Sequence, residues 1–358
     1  MNTTGPLTIA LVMATPGTGW GGMEKHTADL AAALSERGHK VHLLAHKAYS
    51  HRFAESVQVH SLPVQLDRRN PWLKHRLRRA LKSITPDIVH AQGNKAASLV
   101  GSIPRTSGNR STRILGTLHG TKSSHRAFNQ LDGVIGVSRE IESAVNHPNK
   151  RLIYNGLKDK EPDSPDPNPG FPIPRERPLL LAAGRLEPVK QFDRLIRAWA
   201  QSASPGTLVI LGDGSQRSQL ESLISQSGAG DRILLPGHEP RVLPWLKAAT
   251  ACIISSSREG FPYIMVEALR AECPVLSTPV SGVRDFLPDS AIASSDSVED
   301  IADLVTANLG VGDSTPGSLS ARFQSSFQRA AEQLSLETMV SKTEHFYREL
   351  LGANATGR

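Results

Sequence analysis

Short apolar runs recur along the chain and alternate with stretches in which apolar positions return at helical spacing. The first run is Leu7–Ala14, and a helical pattern follows from Met23 to Arg37 and ends at Gly38. A continuous apolar run is typical of a buried strand, and helical spacing is typical of an amphipathic helix. Further strands are predicted at Lys40–Ala45, Val57–Leu62, Asp87–Ala91, Thr112–Leu118, Gly133–Val137 and Arg151–Tyr154. This alternation predicts a parallel sheet with helices on both faces.

The alternation stops at residues 158–177, which hold six prolines, and then starts again. Proline cannot continue a helix or a central strand, so this stretch is predicted to be a linker and hinge. Strands of the second half are predicted at Pro178–Ala183, Thr207–Leu211, Arg232–Leu235, Thr250–Ser255, Pro274–Ser277 and near Ala291. Helices are predicted at Gln191–Ala200, Ser215–Ser227, Arg241–Ala248 and around Glu267. The sequence therefore predicts two doubly wound α/β domains that face each other across a cleft, at residues 1–160 and 178–335, with the linker at 161–177.

Length and composition agree with this division and narrow the class of protein. The chain has 358 residues, 39% hydrophobic and 21% charged, which suits two soluble globular domains. No apolar run is long enough to span a bilayer, and the N-terminus lacks the basic region of a secretory signal, so we expect a cytoplasmic protein. Cys252 and Cys273 lie in or beside apolar runs, which favours buried, reduced thiols over a disulfide.

The positive charge of the chain is concentrated in its first half. Residues 1–175 hold 24 Lys and Arg against 13 Asp and Glu, whereas the remainder holds 17 against 21. Part of the excess lies in residues 67–84, where Trp72 and several leucines recur near helical spacing between basic residues. Such a helix can lie on an anionic membrane face, or it can pack on the sheet with a solvated basic face, and both interpretations stay open. Nucleic-acid binding is less favoured, because no recognisable binding module accompanies the single aromatic residue.

A candidate ligand site lies in residues 255–269, where an apolar strand leads through a polar loop into a helix. Pro262 is expected in the first helical turn, which places the amides of Gly260 and Phe261 at the helix start. Free amides and the helix dipole suit a phosphate, and Gly260 allows close approach to the backbone. Glu259 and Glu267 can accept hydrogen bonds from hydroxyl groups. Together these features suggest a sugar nucleotide.

A second candidate follows the first strand of the second half. Arg185 and Lys190 flank a tight turn there, and two cations can neutralise a departing diphosphate. No group of carboxylates, histidines or cysteines has metal-ligand spacing, so cations and helix starts are expected to replace a metal, and no cofactor is expected.

The first strand is followed by the glycine-rich loop of residues 16–22. Gly17, Gly19 and Gly22 satisfy the G-x-G-x-x-G pattern of dinucleotide-binding domains. That pattern also needs an acidic residue at the end of the second strand, where this chain has Ala45-His46-Lys47. A nicotinamide-dependent enzyme is therefore disfavoured.

Three stretches carry a family resemblance. Glu259, seven intervening residues and Glu267, with Gly-Phe after the first acid, resemble the signature of retaining glycosyltransferases of family 4, which have the GT-B fold. Residues 184–190 resemble that family's Gly-Arg-Leu-x-x-x-Lys element, although Gln191 stands where glycine is usual. Residues 21–24 resemble its Gly-Gly-x-Glu loop.

The resemblance also implies roles for single residues. Gly21 and Gly22 would approach the donor diphosphate, Gly212 would admit the donor nucleotide, and Ser281 and Gly282 would offer backbone amides to phosphate or sugar. Glu24 is expected only to cap its helix. His119, which closes a strand in Thr117-Leu-His-Gly120, is expected to hydrogen-bond sugar hydroxyls, and His90 and Asn155 are expected to shape the cleft. The helix in residues 336–358 is expected to cross back onto the first domain.

The implied reaction moves a sugar from a nucleotide-diphosphate donor, plausibly UDP-glucose, to an acceptor hydroxyl with retention of anomeric configuration. Arg185, Lys190 and the amides of Gly260 and Phe261 would draw charge onto the leaving phosphate. Glu267 would hold the ribose, and Glu259 would hold the sugar hydroxyls. The basic first domain favours a glycolipid or lipopolysaccharide core acceptor at the cytoplasmic membrane face, with peripheral membrane contact and no nucleic-acid partner.

Two alternatives to sugar transfer stay open. A sugar-nucleotide 2-epimerase of the same fold would need no acceptor. A catalytically silent module that only binds the sugar nucleotide is disfavoured by the joint presence of Arg185, Lys190, Glu259 and Glu267.

Overall fold

The computed structural model describes residues 5–16, 19–103, 112–120, 125–158, 172–174, 178–202, 204–310 and 316–352. The chain divides into two compact units. One contains Met1–Lys158 and Ser335–Arg358, and the other contains Asp159–Leu334. Most of the predicted linker, including its Pro162–Pro169 stretch, lies outside the described residues.

The N-terminal unit is built on a seven-stranded sheet in which all neighbouring strands are parallel. The strand order is β3-β2-β1-β4-β5-β6-β7. The strands are β1 Thr8–Met13, β2 Lys40–Ala45, β3 Gln58–Ser61, β4 Ile88–Gln92, β5 Arg113–Leu118, β6 Gly133–Gly136 and β7 Lys150–Leu152. β1 and β4 are almost completely buried, as expected for central strands covered on both faces.

Within its described residues, this unit has five α-helices. They are α1 Gly22–Glu36, α2 Pro71–Ile84, α3 Gly93–Gly101, α4 Arg139–Ser143 and, from the end of the chain, α12 Leu336–Gly352. α1 and α12 pack against each other, and Arg37 at the end of α1 pairs with Glu337 and Glu344 of α12. Apolar side chains of both helices, including Leu30, Leu34 and Phe346, join the core beneath the sheet. The last helix therefore belongs to the N-terminal unit.

The C-terminal unit contains a five-stranded parallel sheet of order β10-β9-β8-β11-β12. The strands are β8 Leu179–Ala183, β9 Thr207–Leu211, β10 Ile233–Gly237, β11 Ala251–Ile254 and β12 Val275–Ser277. The helices are α5 Phe192–Gln201, α6 Arg217–Gln226, α7 Val242–Ala248, α8 Tyr263–Arg270, α9 Val298–Leu309, α10 Pro316–Arg322 and α11 Gln324–Gln333. β8, β9 and β11 are buried along almost their whole length, which agrees with their continuous apolar sequences.

Two local predictions in this unit need correction. The short strand expected near Ala291 is a 3₁₀ turn at Asp289–Ala291, and only Ile292 forms a single bridge, to Ser277. Pro262 is the N-cap residue of α8, one position before the first helical residue, with φ −65° and ψ 122°. Since ψ is extended there, the helix begins at Tyr263.

Both cysteines are buried and unpaired, as expected for an apolar setting. Burial raises the pKa of the Cys273 thiol to about 12, so it stays protonated at neutral pH.

Candidate active site

In the C-terminal unit, the loop between β11 and α8 brings a carboxylate to the carboxyl end of the sheet. Ser255 and Ser256, which follow the buried strand β11, are buried as well, and Phe261 is only 4% exposed. Both ends of the loop are therefore fixed by burial. Gly260 and Phe261 directly precede Pro262, the N-cap residue of α8, so their amides lie just before the helix start. The binding of an anion at this loop stays a prediction.

Lys190 and Glu259 meet at this loop. Nζ of Lys190 lies 2.6 Å from Oε1 of Glu259, and the Ser256 hydroxyl donates to the same oxygen at 2.8 Å. Ser255 fixes the other side of the contact, because its hydroxyl donates to the main-chain carbonyl of Lys190 at 2.8 Å. Both charged side chains are about one-fifth exposed. The arrangement places one cation, partly accessible to solvent, at the loop that also carries Gly260 and Phe261.

Gln191 has a backbone conformation that glycine adopts more readily than other residues. Residues Pro188–Lys190 form a 3₁₀ turn, and Gln191 ends it in the left-handed region with φ 50° and ψ 38°. Its side chain compensates in part, because Nε2 donates to Oδ2 of Asp296 at 2.8 Å. The turn that orients Lys190 is thus retained with a residue other than glycine.

Ser281 and Gly282, predicted to offer amides, pack directly against the α8 start. Gly282 has φ 86°, and a Cβ atom there would lie 2.5 Å from the Phe261 ring and 3.3 Å from the Gly260 carbonyl oxygen. Ser281 is 5% exposed. The structure therefore brings these two candidates together with Gly260 and Phe261.

Gly212 contacts the loop that carries Arg185. It has φ 146°, and a Cβ atom there would lie 1.8 Å from the carbonyl oxygen of Gly184. The neighbouring backbone thus requires a glycine at this position. Its proposed role in admitting a nucleotide stays a prediction.

The remaining two candidates of this unit lie at different depths. Arg185 follows β8 and is exposed, with no side-chain partner among the residues that the structure describes. Glu267 lies in α8, partly buried, at the fifth helical position. The exposed guanidinium group of Arg185 can contact an anion from solvent, whereas the carboxylate of Glu267 is less accessible.

In the N-terminal unit, the glycine-rich loop leads into α1. Gly21 is the N-cap residue, and its amide donates to Oε2 of Glu24 at 3.0 Å. Glu24 therefore caps the helix, as expected. Gly17 and Thr18 lie outside the described residues.

A tyrosine outside the predicted site supports this loop. The Tyr49 hydroxyl donates to the Gly19 carbonyl oxygen at 2.9 Å and accepts from Thr15 at 3.1 Å. The Trp20 ring lies 6.0 Å from the Tyr49 ring, and the Arg52 guanidinium lies 5.1 Å from the Trp20 ring centre. The conformation of the loop is thus held from the segment that follows β2.

His119 lies at the carboxyl end of β5, next to the end of β4. Its Nε2 lies 2.7 Å from Oε1 of Gln92, the last residue of β4. The ring of His26, one turn into α1, packs edge-on against the His119 ring at 4.7 Å. Nδ1 of His26 lies 3.0 Å from Oδ1 of Asn155. Polar side chains from three elements and the Asn155 loop thus meet around His119.

His90 is placed differently from the sequence expectation. It is fully buried, with Nδ1 2.7 Å from the Tyr347 hydroxyl of α12 and Nε2 2.7 Å from Oγ1 of Thr117. It therefore supports the sheet from within and does not line a cleft surface. Asn155, 4% exposed, acts through His26.

Burial keeps the three histidines neutral. Loss of hydration lowers the pKa of His26 to about 4 and that of His90 to about 3. The pKa of His119 falls well below its usual value, first because of burial and then because His26 and His90 are near. This edge of the sheet therefore offers hydrogen-bonding groups without charge.

Sequence reasoning missed His26 and Tyr49. His26 had a detectable signal, because residues 26, 30 and 34 share one helix face and Leu30 and Leu34 are core residues. Tyr49 had none, since its partner is a main-chain carbonyl distant in sequence.

Across the ranges that the structure describes, no three His, Cys, Asp or Glu side chains are grouped so that they could hold a metal ion. Within the same ranges, no helix combines the length and the apolar character needed to cross a membrane.

Comparison with known proteins defines the class. A model of the family described as "Glycosyltransferase Family 4" matches residues 20–161, and one described as "Glycosyl transferases group 1" matches residues 166–309. The fold is shared with the Anabaena protein HepE, solved in complex with UDP, at a TM-score of 0.74 over 95% of this chain and 99% of that chain, with 17% identity. The two Rossmann-like domains have the GT-B fold of such structural neighbours, and each half of the chain matches a glycosyltransferase family model, as the resemblance implied.

Two curated relatives match over shorter lengths. The D-inositol 3-phosphate glycosyltransferase of Xylanimonas cellulosilytica is 33% identical over 123 residues, which are 33% of this chain and 30% of the relative. The lipopolysaccharide core biosynthesis glycosyltransferase LpsE of Rhizobium meliloti is 32% identical over 117 residues, 32% of this chain and 34% of the relative. The alignments thus span about a third of each relative.

Proposed function

We propose that the protein transfers a hexose from a UDP-activated donor to a hydroxyl group of a glycan or glycolipid, with retention of anomeric configuration. The observation that carries the proposal is the Lys190–Glu259 pair, which joins the loops after the neighbouring strands β8 and β11. A cation at the carboxyl edge of a parallel sheet suits the diphosphate of a donor, whose negative charge grows as the bond to the sugar breaks.

The proposed chemistry divides charge between the two units. The C-terminal unit supplies Arg185, Lys190 and the amides, which would stabilise the departing UDP. The N-terminal unit supplies neutral groups around His119, which suit sugar hydroxyls. The matches of both halves of the chain to glycosyltransferase family models support sugar transfer.

Retention by attack on the same face as the leaving group is favoured by the state of Glu259. Its Oε1 is engaged by both Lys190 and Ser256, so this carboxylate is poorly placed to act as a covalent nucleophile. In the proposed step, the acceptor oxygen bonds to the anomeric carbon while the bond from that carbon to the phosphate oxygen breaks. The acceptor proton passes to the departing phosphate, and the products are a glycoside and UDP.

UDP as the donor nucleotide is supported by the complex in which the structural neighbour HepE was solved. Glucose as the donor sugar is proposed on the family resemblance. Metal independence is also proposed, because Arg185 and Lys190 can supply the charge that a bound cation would provide.

A lipopolysaccharide core or similar glycolipid is the proposed acceptor. LpsE, whose sequence matches part of this chain, is named for lipopolysaccharide core biosynthesis. Helix α2 supports contact with the lipid surface: Leu73 and Leu77 face the core, whereas Trp72 is 53% exposed and lies beside Arg76. The location proposed on this basis is the cytoplasmic face of the membrane.

The test incubates the protein with UDP-glucose and a panel of glycan and glycolipid acceptors, with and without a chelator. We expect acceptor-dependent release of UDP, an α-glycoside by NMR and no effect of the chelator. An inverted product would overturn retention, and loss of activity with the chelator would overturn metal independence.

Donor alone separates the remaining alternatives. Conversion of the donor to its 2-epimer without acceptor would identify an epimerase, and binding without any turnover would identify a silent module. A matched reaction with Lys190→Ala serves as the control for a contaminating activity.

A further inference from the structure

Gln92 is buried at the carboxyl end of β4 and is bonded to the best candidate for a sugar contact. It is 1% exposed, and its Oε1 accepts a hydrogen bond from Nε2–H of His119 at 2.7 Å. The strand register explains the contact, because Gln92 pairs with Thr117 on β5 and His119 lies two residues further on. The carbonyl oxygen of the amide thus fixes the proton of His119 on Nε2.

The second polar atom of the same amide is unused. Nε2 of Gln92 is buried and has no hydrogen-bond partner among the residues that the structure describes. Buried amide N–H groups are nearly always paired, because leaving one unpaired costs free energy. An unpaired donor at a sheet edge where ligands bind points to a ligand that accepts from it.

The surroundings of His119 are uncharged. The titratable groups that face it are His26 of α1 and His90 of β4, and burial keeps all three rings neutral at physiological pH. A neutral imidazole that donates from Nε2 has a bare acceptor at Nδ1. His119 and Gln92 therefore differ in what they offer: one an acceptor and the other a donor.

We propose that Gln92 is a positioning residue that holds His119 in the Nε2–H tautomer, and that its own amide N–H and Nδ1 of His119 together recognise hydroxyl groups of a sugar. This proposal rests on the proposed function and specifies the ligand chemistry of its N-terminal half. A hydroxyl group both donates and accepts, so it satisfies the two atoms. A phosphate could accept from Gln92 but would face the lone pair of Nδ1.

The first test reads the tautomer directly and does not depend on activity. The protein is labelled with ¹⁵N-histidine, and the His119 signals are assigned by their loss in His119→Asn. We expect Nδ1 unprotonated and Nε2 protonated across pH 5 to 8. An Nδ1–H tautomer, or titration of His119 within that range, would overturn the proposal.

The second test uses Gln92→Glu, which places a carboxylate on the same ring nitrogen. An adjacent anion raises the pKa of an imidazole, so His119 of the variant becomes protonated as the pH falls and Nδ1 no longer accepts. We expect kcat/KM of the variant to fall with decreasing pH between about 8 and 6, relative to the unaltered protein, by about tenfold or more. In the labelled variant, Nδ1 of His119 should become protonated over the same range.

Gln58→Glu is the matched control, because it makes the same substitution at an exposed position of the edge strand β3 of the same unit. Its pH profile should follow that of the unaltered protein. Parallel profiles for Gln92→Glu and Gln58→Glu would refute the positioning role.

The outcomes also separate this proposal from the proposed function. If the unaltered protein transfers no sugar to any acceptor but shows the Nε2–H tautomer, the function fails and the positioning role stands. If the unaltered protein transfers sugar and His119 titrates near its ordinary pKa, the positioning role is refuted and the proposed function stands.

Discussion

Nζ of Lys190 and Oε1 of Glu259 are 2.6 Å apart although 69 residues separate them in the chain. The contact joins the loop after β8 to the loop after β11, two neighbouring strands of one parallel sheet. Carboxyl ends of adjacent parallel strands share one edge, so the topology itself creates the pair. A bound diphosphate would compete with Glu259 for the ammonium group of Lys190, because both are anions.

Removal of the Lys190 ammonium group should impair transfer far more than folding. Lys190→Ala leaves Glu259 without its cation and removes a donor to the leaving phosphate, so kcat/KM should fall by about 10²–10³. The measurement is UDP release at varied donor concentration. Lys247→Ala, an exposed lysine of the same unit, serves as the control and should retain full activity. Equal activities of the two variants would contradict the role of Lys190.

The turn at Gly282 should tolerate no side chain. Gly282→Ala adds a Cβ in the left-handed region and 2.5 Å from the Phe261 ring, so we expect the free energy of unfolding to fall by about 2–4 kcal/mol. Gly228→Ala is the control, since Gly228 has φ 69° but open space around it and should lose only about 1 kcal/mol. Urea denaturation followed by the fluorescence of Trp199 and Trp245 reports on this unit. Similar losses for both variants would show that the Phe261 contact is easily relieved.

The left-handed conformation of Gln191 predicts an unusual order of stabilities. Glycine and alanine variants both lose the bond to Asp296, so their difference isolates the backbone. Gln191→Gly should be more stable than Gln191→Ala by about 1 kcal/mol, because alanine keeps the strain. At Gln219, an exposed position inside α6, the order should reverse, since alanine favours a helix. The same order at both positions would contradict the backbone argument.

The sequence was sufficient to predict most of the sheet strands, because the central ones, such as β1, β8 and β9, are continuous apolar runs bounded by polar residues. It also predicted the neighbourhood of Lys190, Glu259 and Gly282, since motif order placed all three at strand ends. It did not predict helices α9 to α11, whose helical spacing was not recognised.

Contacts between side chains distant in sequence were beyond the reach of pattern reasoning. His26 meets Asn155 across 129 residues, and His90 meets Tyr347 across 257. Both contacts depend on which helix covers which strand, and local periodicity does not specify this. The Gln92–His119 hydrogen bond was partly predictable, because the register of the parallel strands β4 and β5 alone indicates that the two residues lie close together.

Acid should destabilise the N-terminal unit through its buried histidines. The folded-state pKa values of His26 and His90, about 4 and about 3, lie below the ordinary 6.5, so the unfolded chain binds more protons than the folded chain below that pH. Stability should therefore be complete above pH 6.5 and fall as the pH drops toward 4, by an amount on the order of a few kcal/mol. His26→Gln should make the dependence of the melting temperature on pH shallower in this range. An unchanged slope would show that His26 does not contribute.

We predict that the N-terminal unit binds membranes through the exposed face of helix α2. Leu73 and Leu77 already anchor the helix to the core, so its outer side chains are available to a second surface. Arginine near an anionic bilayer contributes about 1 kcal/mol per residue, and the association weakens with added salt. Arg76→Ala with Arg79→Ala should therefore reduce binding to phosphatidylserine vesicles by roughly tenfold or more in sedimentation assays.

The matched control removes two other exposed arginines of the same unit, through Arg126→Ala with Arg139→Ala, so the net charge of both variants is equal. If net charge alone attracts the protein, the two variants should bind equally, and the specific role of α2 is refuted. If α2 is the contact, only the first variant loses affinity, and Trp72→Ala should weaken binding further, because its exposed ring lies beside Arg76. Activity on a soluble acceptor should be the same for all three variants, since none of these residues lies at the predicted sugar or phosphate sites.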